Sequence, residues 1–154
     1  MADIERCDLL CIPGGADQSA ITAPDMLAEI RRLAASSRYI TSVCNGSLIL
    51  GAAGLLHGIR SACHWAMRER LAEYGAIPDH GRVVRDGHII TGGGVTAGID
   101  FALTCASEIS GELVAQAIQL LIEYAPAPPF DCGRPETASP AVMHALQGLT
   151  AIRS

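Results

Sequence analysis

Three times between Cys7 and Ala76 the chain places a short apolar or β-branched run ahead of a stretch with helical spacing, and this alternation restricts the fold more than any other feature. "CDLLCIP" is stopped by Pro13-Gly14-Gly15 and reads as a buried strand ended by a turn. In "APDMLAEIRRLAASS", Pro24 and Asp25 stand at a helix start, and Met26, Leu27, Ile30 and Leu33 recur at helical spacing. "RYITSV" reads as a strand, and "GSLILGAAGLL" as a helix closing at His57-Gly58. "IRSACH" reads as a third short strand, and "WAMRERLAEYGA" as a helix ending at Gly75. Strands alternating with helices build a mostly parallel sheet covered by helices, the α/β class. Further on, "RVVRDGHIIT" is two short apolar runs joined by Asp86-Gly87, the mark of a hairpin added at the sheet margin. "GIDFALTCASEIS" and "ELVAQAIQLLIEYA" read as helices parted by Gly111, "PAPPFDCGRPE" as a loop, and "SPAVMHALQGL" as a last short helix. No repeat or low-complexity tract interrupts the chain, which is read as one domain over residues 1–154.

Composition narrows the function classes. A chain that is 49% hydrophobic and 18% charged carries enough apolar surface for a core. Its net charge of -5 and scattered basic residues give no footprint for a phosphate backbone, so no nucleic-acid partner is expected. No apolar run reaches membrane-spanning length, and "MADIERCDLLCIPGG" has charges where a signal peptide is apolar; a cytoplasmic protein without a membrane partner is expected. The six cysteines then stay reduced. No C-x-x-C pair or zinc-spaced Cys/His cluster is present, so no metal is expected. Cys7, Cys11, Cys63 and Cys105 lie in apolar runs and read as small buried hydrophobes.

Cys44 is different. In "TSVCNGSLIL" it falls at the C-terminal end of a predicted parallel strand and just before a predicted helix, the edge where open α/β sheets bind ligands. A residue on such a corner presents its side chain to the site, as in a nucleophile elbow, and Gly46 permits the close approach that the turn requires. The helix start adds unpaired N–H groups and partial positive charge, an environment that activates a thiol as a nucleophile. The backbone N–H groups of Gly14 and Gly15, which end the neighbouring strand, could form an oxyanion-binding nest. His64 lies at the end of a predicted strand on the same edge and reads either as a polar pocket residue or base, or as a hydrogen-bonded core histidine. Trp65 reads as core, and Asp17 either caps a helix or approaches the site. "TGGGVTAG" lacks the G-x-G-x-x-G spacing of a dinucleotide loop.

The blocks "DLLCIPGG", "TSVCNGSLILGAAGLLHGIRSACHWA", "GRVVRDGHIITGGGVTAGIDFAL" and "AIQLLIEYAPAPPFDCGRPETA" resemble consecutive parts of the ThiJ/PfpI superfamily, glutamine amidotransferase-like in fold, and most of all its isocyanide hydratase branch. The resemblance implies a flavodoxin-like three-layer sandwich, a homodimer, and hydration of an isocyanide to an N-substituted formamide without metal or organic cofactor. Cys44 would attack the small electrophilic substrate to form a thioimidate that water resolves. Asn45 stands where the branch more typically has threonine, and with Gly46 it is expected at the substrate or oxyanion. Gly94 and Thr96 lie in a loop that lines the family pocket. The family's acidic proton manager sits on an early strand before the block matching "DLLCIPGG", and the chain is expected to lack that first strand-helix-strand unit. The same superfamily supplies the sensing module of AraC-type transcription regulators, so a non-catalytic or redox-sensing domain is the alternative.

Overall fold

The structure, a computed structural model, describes residues 4–17 and 19–151, so the charged start of the chain lies partly outside the described residues. In chain order the elements are β1 (Leu9–Ile12), α1 (Pro24–Ala34), β2 (Tyr39–Val43), α2 (Gly46–Ala52), β3 (Arg60–Ser61), β4 (Ile77–Pro78), β5 (Val83–Asp86), β6 (Ile89–Gly92), α3 (Ala97–Ser110), α4 (Glu112–Leu121) and α5 (Pro140–Ala151). Two 3₁₀ segments lie at Ser19–Thr22 and Arg68–Tyr74. The main sheet runs β1-β2-β6-β5, parallel except for the antiparallel β5–β6 pair.

Side chains alternate across a strand, and that alternation sorts the core into two faces. Leu10, Ile40 and Ile89 stand in one cross-sheet row and pack with Ile12 against Ile30 and Leu33 of α1 and Leu48 and Leu50 of α2. Their neighbours Leu9, Tyr39, Val43, Val83 and Ile90 turn the other way, onto Phe101 and Cys105 of α3. Helices therefore cover both faces, giving the mostly parallel three-layer sandwich expected. Leu48, Leu50 and Ile90 are fully buried, each worth roughly 1.5–3 kcal/mol against exposure. At α1, Pro24 occupies the first turn and Asp25 precedes Arg31 and Arg32 in the last, complementing the helix dipole at both ends.

Several local expectations are corrected. α2 closes at Ala52, well before His57-Gly58, because Gly54 at φ +79 turns the chain out of the helix. The strand in "IRSACH" shrinks to two residues that pair with β4 in a separate ladder. Ala62 then donates its N–H to Thr91 Oγ1 at 2.8 Å, a side-chain substitute for a ladder bond to the main sheet. The following helix is a 3₁₀ segment, although it does end at Gly75, whose φ of +72 suits glycine. In the hairpin Asp86 pairs with Ile89, so the two loop residues are Gly87 and His88, and Gly87 supplies the positive φ. β5 lies at the margin, but β6 lies inside the sheet beside β2. Cys63 and Cys105 are buried as expected, whereas Cys7 is half-buried and Cys11, on the terminal strand β1, is exposed.

The chain divides into two compact units, residues 1–122 and 123–154. The first contains the sandwich, with α4 packed on α3 after the turn at Gly111. The second is a loop with Thr137 and Ala138 bonded to the Arg134 carbonyl, followed by α5, where Ser139 Oγ accepts the Val142 N–H at 3.4 Å and Pro140 opens the helix. No helix among the described residues is long and apolar enough to cross a membrane.

Candidate active site

Cys44 lies one residue after β2 and two before α2, at φ +61. A side chain in the left-handed region is uncommon and costs about 1–2 kcal/mol, so the surroundings must hold it there. Its N–H points back at the carbonyls of Gly92 and Gly93, at 3.0 and 2.7 Å, and its carbonyl accepts the His64 N–H at 3.3 Å. The corner is thus fixed from β6 on one side and from the segment after β3 on the other. The thiol itself is half-buried.

Two glycines let neighbouring chain segments close on this corner. A Cβ on Gly46 would lie 2.2 Å from the Ile12 carbonyl oxygen, so only glycine lets the start of α2 approach the end of β1. A Cβ on Gly14 would lie 2.4 Å from Asn45 Oδ1 and 2.7 Å from Cys44 Cβ. Gly14 therefore lies directly against the nucleophile candidate. The Gly15 N–H is already taken by Asn45 Oδ1 at 2.9 Å, while Asn45 Nδ2 donates to the Gly15 carbonyl at 2.9 Å. Of the two amides expected to form a nest, that of Gly14 is the one not spent on Asn45.

The His64 backbone is bonded to the Cys44 carbonyl, and its side chain is half-buried beside Gly94, where a Cβ would lie 3.3 Å from the imidazole Cδ2. Its Nδ1 accepts the Ala66 N–H at 3.3 Å, so in the neutral ring the proton sits on Nε2. Trp65 is 36% exposed rather than core, its ring 5.6 Å from that of His64. Thr96 is exposed, and both its oxygens are held by the Arg82 guanidinium, with the carbonyl at 2.7 Å and the hydroxyl at 3.2 Å. Arg82 also binds Asp100, so this arginine pins the loop that begins α3. Asp17 does cap: its Oδ1 accepts the Ser19 N–H at 2.8 Å at the start of the 3₁₀ segment, and that bond holds its carboxyl below the usual value. It also lines a pocket of about 90 Å³ with the Pro13–Gly15 loop, Ile21, Asn45 and Ile49.

Beneath the elbow lies a hydroxyl cluster that the sequence reading missed. Ser47 Oγ donates to the Ala62 carbonyl at 2.6 Å and accepts from Ser42 Oγ at 2.9 Å, and Thr91 Oγ1 receives the Ala62 N–H. Ser42, Ser47 and Thr91 are fully buried. Together they tie β2, α2 and β6 to the segment that carries His64. A serine at a strand end or in a first helical turn is commonplace, so no local pattern marks these three. Burial pushes the adjacent Cys63 thiol up to about 12, helped by its proximity to Cys44. Cys63 is thus buried and held protonated, while the half-buried Cys44 lies on the corner itself. Among the described residues no group of His, Cys, Asp and Glu is arranged to hold a metal ion.

A family model for the DJ-1/PfpI family matches residues 2–108. The chain is 56% identical over 142 residues to the isonitrile hydratase of Pseudomonas putida, a match that covers 92% of this chain and 62% of that protein. It is 28% identical over 116 residues to a helix-turn-helix transcriptional regulator of Pseudomonas aeruginosa, covering 73% of this chain and 34% of the regulator. A solved ThiJ/PfpI family protein from Pseudomonas syringae matches with a TM-score of 0.90 at 46% identity, over 96% of this chain and 62% of that one. The chain thus spans less than two thirds of the length of the hydratase and of the Pseudomonas syringae protein.

Proposed function

The chain belongs to the DJ-1/PfpI family, and from that premise we propose that it is an isocyanide hydratase-like hydro-lyase with Cys44 as its nucleophile. The observation that carries the reading is a cysteine held at φ +61 on a strand-to-helix corner, in a chain 56% identical to an isonitrile hydratase. The Cys44 thiolate adds to the terminal carbon of R–NC, and the same carbon takes up a proton, giving the thioimidate Cys44–S–CH=N–R. Water then adds across C=N, its oxygen to carbon and a proton to nitrogen. Collapse of this adduct, with loss of its hydroxyl proton, expels the thiolate and leaves R–NH–CHO; the released proton balances the one taken up at carbon. Water and protons alone balance the reaction, so the proposal includes no cofactor.

The roles of the surrounding groups follow from their positions. Gly14 packs against Cys44, and its N–H is proposed to stabilise negative charge that develops during addition. His64, tied to Cys44 through its backbone N–H and with its imidazole beside Gly94, is proposed to orient water or relay a proton. Gly46 serves by having no side chain. Thr96 shapes the loop through its bonds to Arg82. By its resemblance to the branch, the protein acts as a cytoplasmic homodimer.

Incubating the protein with a small alkyl isocyanide and following formamide by NMR tests the proposal. Cys44→Ala is expected to lower turnover by roughly a thousandfold or more. Turnover that survives this substitution overturns the nucleophile assignment. The similarity to a transcriptional regulator favours a second reading, a redox-sensing domain without turnover. Absence of formamide together with peroxide oxidation confined to Cys44, read by peptide mass, is the outcome that selects it.

A further inference from the structure

We propose that Asn45 is a positioning residue: its carboxamide clamps the Gly15 peptide and so fixes where Gly14 stands against Cys44. Asn45, expected from sequence at the substrate or oxyanion, turns its carboxamide onto the Gly15 peptide. Asn45 occupies the N-cap position of α2, where an asparagine ordinarily turns its side chain onto the N–H groups of its own helix. It makes no such bond. Instead it reaches across 30 residues of sequence, accepting the Gly15 N–H and donating to the Gly15 carbonyl, both at 2.9 Å.

The chemistry of the side chain explains why asparagine suits this task. A carboxamide presents one acceptor and one donor side by side, matching the two polar groups of a single residue much as a neighbouring strand would. Aspartate keeps the acceptor but sets a second oxygen against the Gly15 carbonyl. Threonine offers one hydroxyl, and alanine offers nothing. The clamp closes a unit with no slack: a Cβ on Gly14 would lie 2.4 Å from Asn45 Oδ1, and one on Gly46 would lie 2.2 Å from the Ile12 carbonyl oxygen. No side chain larger than glycine's hydrogen fits between the loop and the elbow at Gly14, or between the elbow and the end of β1 at Gly46. Asn45 also supplies part of the wall of the adjoining pocket, so the same clamp sets its shape.

The proposal deepens the reading of Cys44 as nucleophile, yet its test does not need turnover. Amide hydrogen exchange of Gly15 is measured by NMR in the unaltered protein, Asn45→Ala and Asn45→Asp. The Ser19 amide, which Asp17 holds at 2.8 Å in the same segment, is the internal control. Asn45→Ala is expected to speed Gly15 exchange about tenfold or more while Ser19 keeps its rate, with Asn45→Asp in between. Alkylation of Cys44 by iodoacetamide should also quicken severalfold in Asn45→Ala as the loop loosens from the thiol. Should Asn45→Ala fail to fold, Asn45→Asp and Asn45→Thr carry the same two measurements. Unchanged Gly15 exchange, or equal acceleration of Gly15 and Ser19, overturns the clamp. Lack of isocyanide turnover in the unaltered protein would remove the hydratase reading and leave these exchange rates as they are.

Discussion

At the scale of single residues, the site depends on one strained side chain and two missing ones. Cys44 holds φ +61 at a cost of about 1–2 kcal/mol, part of which a glycine would regain after losing some unfolded-state entropy. Cys44→Gly is therefore expected to stabilise the protein by up to about 1 kcal/mol in urea unfolding while removing the proposed activity. Equal or lower stability would show that the corner is not strained. Gly46 gives the opposite case. Because a Cβ there meets backbone, the Ile12 carbonyl oxygen at 2.2 Å, no rotamer change can relieve the clash. Gly46→Ala should cost about 1–3 kcal/mol by the same measurement.

At the scale of elements, the elbow is held by side chains where the main-chain ladder stops. β3 pairs with β4 in a ladder separate from the main sheet, and the Ser42–Ser47–Ala62–Thr91 connections take over the task of fixing the segment that leads to His64. Ser47 is the hub, since its hydroxyl both donates and accepts in a fully buried setting. Removing it leaves the Ala62 carbonyl and the Ser42 hydroxyl short of a partner, which costs about 1–3 kcal/mol. Ser47→Ala is expected to lower the urea midpoint accordingly, and a loss below about 0.5 kcal/mol would assign the connection to packing alone. α4 contrasts with this tightness. Only Ala115 of this helix is buried, and Leu113, Leu120 and Leu121 are 80, 83 and 84% exposed.

At the scale of the whole molecule, the buried thiols make stability depend on alkaline pH. Burial pushes Cys63 up to about 12 and Cys105 up to about 11, from 9.0 for a free thiol. Below about pH 9 both states keep these protons and the groups contribute nothing to pH dependence. Between 9 and the raised values the unfolded chain releases protons that the folded chain retains, so stability falls as pH rises through this window. Melting temperature is expected to decline from pH 9 to 11, and replacing both residues with alanine, though destabilising overall, should flatten that decline. In the folded protein at pH 8, iodoacetamide should label Cys11, Cys44 and Cys132 and spare Cys63 and Cys105 until urea unfolds the chain.

Local pattern was enough to read the α/β class, the hairpin, the helix starting at Pro24 and the placing of Cys44 on a strand-to-helix corner, because each follows from apolar period and turn chemistry within a few residues. The same local signals misjudged where α2 and β3 end, since Gly54 competes with Gly58 as a helix stop and Thr91 draws Ala62 out of a ladder. What the tertiary structure alone decided are the pairings between distant groups: Asn45 with Gly15, Arg82 with Thr96, and Ser47 with Ala62. Hydrogen bonds of this kind join residues 14 to 30 positions apart and leave no periodic trace in the chain. The corner that carries Cys44 is written in the sequence, and the way its neighbours are held against it is set only when the strands bring them together.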